Sequence, residues 1–153
     1  MTSTQWQNLV SESYYETITS IEERIKKYDY SEALIGLEHL YQNMAKKDKR
    51  EFRTFLELVM MHVLKWKYQP EKRSSSWVKT IRNARKEMQI IREDVPSITQ
   101  NYINEIWESC FQSAVEEAIY EMKLPKLEKR NFQPDLLTQL EVFEKKYELE
   151  DED

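Results

Sequence analysis

The residues of this chain best suited to chemistry are cationic and aromatic, and they crowd into one stretch. Lys79, Arg82 and Lys86 recur at spacings of three and four, which places them on one face of a helix, with Arg85 at its border. Lys72 and Arg73 come just before that helix, and Ser75 and Ser76 stand where its first amides would be unpaired. A helix N-terminus combines free amides with the positive end of the helix dipole. A phosphate or carboxylate could therefore be held by Arg73, the amides of Ser75 and Ser76, and Lys79. Trp66, Tyr68 and Trp77 lie close by and could stack on a base. The competing explanation is structural. The tryptophans would bury the loop against the core, Arg73 would serve helix-end carbonyls, and the basic helix would pair with acidic helices elsewhere.

Other chemistry finds less support. Helical di-iron sites use a Glu three residues before a His, but position 36 before His39 is Gly and position 59 before His62 is Val. Cys110 sits on an apolar helical stripe, where a thiol behaves as a small hydrophobe with a raised pKa. The serines at 74–76 have no base beside them in sequence. No catalytic residue, metal ligand or cofactor-binding residue is assigned, and the expectation is a protein without enzymatic activity or cofactor.

These side chains must be positioned by helices. One glycine and four prolines in 153 residues leave almost nothing for hairpin turns or phosphate-cradling loops, so the chain is expected to be all-α. Apolar residues at helical spacing predict a first helix from Gln5 to Tyr28, a second from Glu32 to Lys46 with Ser31 as cap, and a third from Asp48 to Tyr68. Asp48 and Glu51 form a possible capping box between the last two. Gly36 is expected to let a neighbouring helix come close.

From Phe55 the third helix is apolar nearly all round, the mark of a buried central element. Pro70 ends it. A fourth helix runs from Trp77 to Asp94, capped by Ser75 or Ser76, and a fifth from Ile98 to Met122, stopped by Leu124 and Pro125. A last helix is expected to start at Pro134 and bury Leu136, Leu137, Leu140, Phe143 and Tyr147. The reading is a single multihelical bundle of five or six helices over residues 1–147, followed by an acidic, disordered tail over 148–153.

Charge is unevenly spread. Residues 62–92 hold nine basic side chains against Glu71 and Glu87, a local balance of +7 in a chain whose total is −5. Such asymmetry concerns partners rather than fold. The acidic total weighs against strong non-specific binding to nucleic acid. One cysteine excludes an internal disulfide. With no secretory pattern at Met1–Trp6 and no long apolar run, a cytoplasmic protein with no membrane segment is expected.

The run His62-Val-Leu-Lys-Trp66-Lys-Tyr68-Gln-Pro70-Glu-Lys-Arg73-Ser-Ser-Ser-Trp77 resembles the core signature of a bacterial family, domain of unknown function family 29. Thr80-Ile-Arg82, Glu93-Asp94-Val-Pro96-Ser97 and Leu124-Pro125 extend the resemblance. The N-terminal third departs from it: Ala33-Leu-Ile-Gly36 and the stretch from Glu38 to Ala45 stand where the family usually carries a Leu-Asp pair and an acidic run. The resemblance implies an all-helical fold and brings no activity or catalytic residues.

The functional expectation is an interaction protein. An unidentified protein partner, or a second copy, would meet the corner and basic helix over 66–86, the surface of Trp66, Tyr68, Lys72, Arg73, Ser75, Ser76, Trp77, Lys79, Arg82 and Lys86. The alternative is nucleic-acid or phosphate binding by the basic helix.

Overall fold

The computed structural model describes residues 1–150, and among them there is no β-strand. The all-α class follows from the scarcity of glycine, as expected. The chain divides into two compact units, Met1–Lys49 and Arg50–Asp153, and each is described by itself. Of the acidic tail, residues 148–150 carry no helix, and 151–153 lie outside the described residues.

In the N-terminal unit the single helix expected over Gln5–Tyr28 is two, α1 (Ser3–Glu12) and α2 (Tyr14–Lys26). Ser13 causes the break. Its backbone is extended, its N–H still bonds the Leu9 carbonyl, and its hydroxyl accepts from the Glu16 N–H at 3.2 Å. A serine that closes one helix and caps the next outweighs an apolar period that continues across it. Tyr28 then takes a left-handed turn, φ 61°. Asp29, not Ser31, caps the third helix by accepting from the Glu32 N–H at 3.4 Å.

That third helix, α3, runs unbroken from Tyr30 to Tyr68. The expected break at Asp48 is absent. Residues 45–51 are mostly good helix formers with no glycine or proline, so continued backbone bonding displaces the capping box. Trp6, Ile21 and Ala33 form the small core of the N-terminal unit. Gly36 belongs to it for a steric reason: a Cβ there would lie 2.7 Å from the Trp6 ring and 2.8 Å from Ile21. The predicted inward stripe of this part of α3 is only partly inward. Ala33 is buried, whereas Leu34, Leu37, Tyr41 and Met44 are 47–67% exposed.

The second unit is built on the rest of α3. Phe52, Leu56, Val59, Met60, Val63 and Leu64 are fully buried, each contributing roughly 1.5–3 kcal/mol of apolar transfer before entropy is subtracted. Against them pack α4 (Ser75–Asp94), through Ile81, Ala84 and Met88, and α5 (Gln100–Glu121), through Ile103, Phe111 and Ala114. Pro70 opens a short 3₁₀ turn to Lys72 that joins α3 to α4. The α4 cap is Ser74, whose hydroxyl accepts from the Trp77 N–H at 3.3 Å, one residue earlier than expected. Lys123 in a left-handed conformation, φ 52°, closes α5 just before Leu124 and Pro125.

The last part differs most from expectation. A short α6 occupies Lys126–Asn131, where a connector was expected, and no helix starts at Pro134. Instead Thr138 and Glu141 cap each other: the Thr138 N–H donates to Glu141 Oε1 at 3.0 Å, and the Glu141 N–H donates to Thr138 Oγ1 at 3.1 Å. They open one π-helical turn, Leu140–Glu144, and the chain continues as a strap to Tyr147. Leu137, Val142 and Tyr147 are buried, but Leu136 and Leu140 are exposed.

Replacing Gly36 with Ala should destabilise the N-terminal unit. Overpacking against Trp6 and Ile21 costs about 1–3 kcal/mol and outweighs the roughly 1 kcal/mol gained in helix propensity. A lower urea midpoint, followed by far-ultraviolet circular dichroism, is expected; an unchanged or higher midpoint would show that the Trp6 ring moves aside freely.

Candidate functional site

The corner between α3 and α4 is held by stacked cations and rings. The Arg73 guanidinium lies 4.7 Å over the Trp66 ring, and its Nε donates to the Trp66 carbonyl at 2.9 Å. Trp66 meets Tyr147 edge-on at 5.5 Å, and Arg85 covers the Tyr147 ring at 5.4 Å. Two cations thus enclose two aromatic side chains, each contact favourable because the ring faces are electron-rich. A parallel pair stands beside this stack: the Lys65 ammonium, on a buried side chain, sits 4.7 Å over Trp77.

Arg85 also holds the strap. Its Nε donates to the Val142 carbonyl at 2.8 Å, one Nη to that of Lys145 at 2.7 Å and the other to that of Glu141 at 3.0 Å. These carbonyls lie at the end of the π turn, where helical partners run out, and a planar guanidinium can serve several at once. Burial lowers the Arg85 pKa, with the Tyr147 hydroxyl acting the other way. Burial also pushes the Tyr147 hydroxyl up to about 12, with Arg85 opposing, and that hydroxyl donates to the Glu141 carbonyl at 2.7 Å. Lys67 pairs with Glu141 at 3.0 Å. Burial alone would raise the Glu141 pKa, but the Thr138 N–H and the Lys67 ammonium hold it below the ordinary carboxylate value.

The proposed surface residues thus fall into two groups. Trp66, Arg73 and Trp77 are structural parts of the corner. Tyr68 packs edge-on against Phe132 at 5.2 Å and accepts from the Asp135 N–H at 3.0 Å. Arg73 is turned onto Trp66 instead of towards the amides at the start of α4, and Ser74 already satisfies one of those amides. Lys72, Ser75, Ser76, Lys79, Arg82 and Lys86 are exposed. Lys79, Arg82 and Lys86 form a ridge on α4, and among the described residues no acid lies within ion-pair reach of them.

Grooves flank that ridge. The larger, about 810 Å³, lies between α4 and the strap, with Arg82, Lys86 and Arg92 on one side and Leu140, Phe143 and Lys146 on the other. The smaller, about 470 Å³, is lined by Ser75, Lys79, Arg82, Tyr147, Glu148 and Leu149. The strap's part in this surface was missed in the sequence, although Thr138-Gln-Leu-Glu141 carries a capping-box pattern that marks where its turn begins. Arg85, placed at the border of the basic stripe, in fact points to the strap.

Neither histidine joins this surface. His62 is buried and its Nδ1–H donates to the Leu58 carbonyl at 2.9 Å, while His39 Nε2 lies 3.2 Å from the Ser3 hydroxyl. Among the described residues no group of three or more His, Cys, Asp or Glu side chains gathers as a metal site. Cys110 is buried, and burial raises its pKa. Among the described residues no helix is long and apolar enough to cross a membrane.

Two predictions follow from these contacts. Arg85→Ala should cost on the order of 2–3 kcal/mol, because two part-buried carbonyls and one exposed carbonyl lose a charged donor. Amide exchange should then rise over 138–147 and stay unchanged in the core of α5, with Arg85→Lys restoring only part of the protection; equal exchange in all three proteins would sink the role given to Arg85. His62 supplies a pH test. Burial, with Lys65 adding to it and Glu121 opposing, lowers its pKa from 6.5, so the folded protein binds that proton less readily than the unfolded chain. The stabilisation is complete above pH 6.5 and falls away as the pH drops below it. The melting temperature of wild type should therefore fall further than that of His62→Gln between pH 7.5 and 5.5, and parallel curves would contradict the assignment.

A family model described as Domain of unknown function DUF29 matches residues 12–147. No curated protein and no solved structure matches the chain. The family match begins well before the corner signature and takes in α2 through the strap, so the departures around Ala33–Ala45 are variation within the family. The chain belongs to the family of the domain of unknown function DUF29.

Proposed function

We propose that this protein is a non-enzymatic interaction module that meets a protein partner along the outer face of α4. One observation carries the reading. Of the basic side chains over 62–92, Lys65, Lys67, Arg73, Arg85 and Arg92 are bound within the fold, whereas Lys79, Arg82 and Lys86 project together and form no ion pair among the described residues. Exposed cations on a helix face are usually solvated and say little. Here Arg82 and Lys86 border a groove whose wall includes Leu140, 61% exposed, and Phe143, and apolar surface beside unpaired charge favours a protein partner.

The second reading, nucleic-acid or phosphate binding, draws on the same cations. It is weaker because the aromatic side chains it needs for stacking, Trp66 and Trp77, are engaged by Arg73 and Lys65.

The test is a photo-crosslinker at Asn83, which lines the smaller groove beside Arg82 on the outer face of α4, in cells that express the full chain. Protein adducts that disappear with Arg82→Glu/Lys86→Glu are expected, as is no binding of duplex or single-stranded oligonucleotides at low ionic strength. Nucleic-acid adducts, or oligonucleotide binding that weakens steeply with salt, would replace this reading with the second one.

A further inference from the structure

Resting on the interaction reading above, we infer that the groove between α4 and the strap receives an acidic amphipathic helix of the partner protein. The groove has an apolar floor of Ile81, Met88 and Phe143, with Leu140 standing at its edge. Cations occupy both rims, Arg82 and Lys86 on α4 and, on the strap, Lys146, which forms an exposed pair with Glu148 at 2.6 Å. Glu93 and Glu144 are the acids of the lining, and Gln89 Nε2 lies 3.4 Å from Glu93. An apolar floor between cationic rims complements a segment with one apolar face and carboxylates on either side of it.

Helical rather than extended backbone follows from what the groove offers. An extended peptide needs backbone partners, which exposed sheet edges supply, and the described residues contain no strand. Within the strap the Glu141, Val142 and Lys145 carbonyls are already taken by Arg85. A docking segment must therefore satisfy its own amides, as a helix does. From Val78 to Arg92 the α4 wall of the groove is about 20 Å long, which a helix of about 14 residues covers. Carboxylates four apart on that helix match the spacing of Arg82 and Lys86.

Beside Lys79 and Arg82 the smaller groove is lined by Glu148 and Leu149 of the strap's continuation. The larger groove presents the same cation, Arg82, with a longer apolar floor and no segment of the described chain across it.

The experiment uses the full chain and a fluorescein-labelled 14-residue peptide. The peptide has leucine and phenylalanine at helical spacing on one face and glutamate on the rest; a scrambled peptide of the same composition is the control. Fluorescence anisotropy should give saturable binding of the patterned peptide, at least about tenfold tighter than the scrambled one. Arg82→Glu/Lys86→Glu should weaken it about tenfold or more, and Leu140→Asp should weaken it without changing the melting temperature. Amide exchange should slow over α4 and the strap only. Equal binding of the two peptides, or indifference to all three substitutions, overturns the proposal. If a duplex oligonucleotide displaces the peptide and binds more tightly, the surface belongs to nucleic acid instead. Asn83 adducts that persist while the patterned peptide fails to bind would leave the interaction reading standing and refute the acidic helix alone.

Discussion

A single guanidinium determines the shape of the candidate surface. Arg85 leaves the middle of α4 and donates to the Glu141, Val142 and Lys145 carbonyls at 2.7–3.0 Å. The strap has little regular structure of its own, and its one π-helical turn ends in carbonyls with no helical donors. The cation supplies those donors and brings Tyr147 under itself, edge-on to Trp66, with Arg73 on the opposite side. The strap, the corner and α4 are therefore coupled through one chain of contacts, two rings meeting edge-on with a guanidinium over each. The larger groove exists because the strap is held beside α4 without closing over it.

This arrangement divides the basic residues by task. Lys67 and Arg85 hold the strap, Lys65 and Arg73 stack on the tryptophans, and Arg92 donates to the Ile98 carbonyl at 3.3 Å. All of them point to rings, carbonyls or a carboxylate within their own unit. The helical period does the sorting. Ile81, Ala84 and Met88 face the core, Arg85 borders them and reaches the strap, and Lys79, Arg82 and Lys86 point away. What looks in sequence like one basic cluster is a structural set and an outward set on the same helix.

The residues that carry the family signature belong mainly to the structural set. Trp66 and Arg73 form the stack, Pro70 opens the turn, Ser74 caps α4, and Trp77 lies under Lys65. A signature of this kind preserves a corner. Arg82 belongs to its extension and is the one signature cation that faces outward between both grooves. Function is therefore sought on the ridge, one helical face away from the residues that identify the family.

The sequence by itself determined the all-α class, since one glycine cannot furnish the turns of a sheet. It also determined α3 as the buried axis of the second unit, the stop at Pro70, the breaks at Pro96 and Pro125, and the outward period of Lys79, Arg82 and Lys86. These are local matters of propensity and period. Tertiary structure decided the rest. Periodicity joined α1 to α2 across Ser13 and separated α3 at Asp48, because capping residues look alike whether or not their caps form. It placed a helix after Pro134, where the chain is instead held from outside by Arg85, 56 to 60 residues away along the chain. Whether Arg73 faced an anion or a ring, and whether Arg85 belonged to the outer surface or to the strap, depended on partners distant in sequence. Charge and spacing name the cations, but only the positions of Trp66, Tyr147 and the strap carbonyls decide which of them remain free.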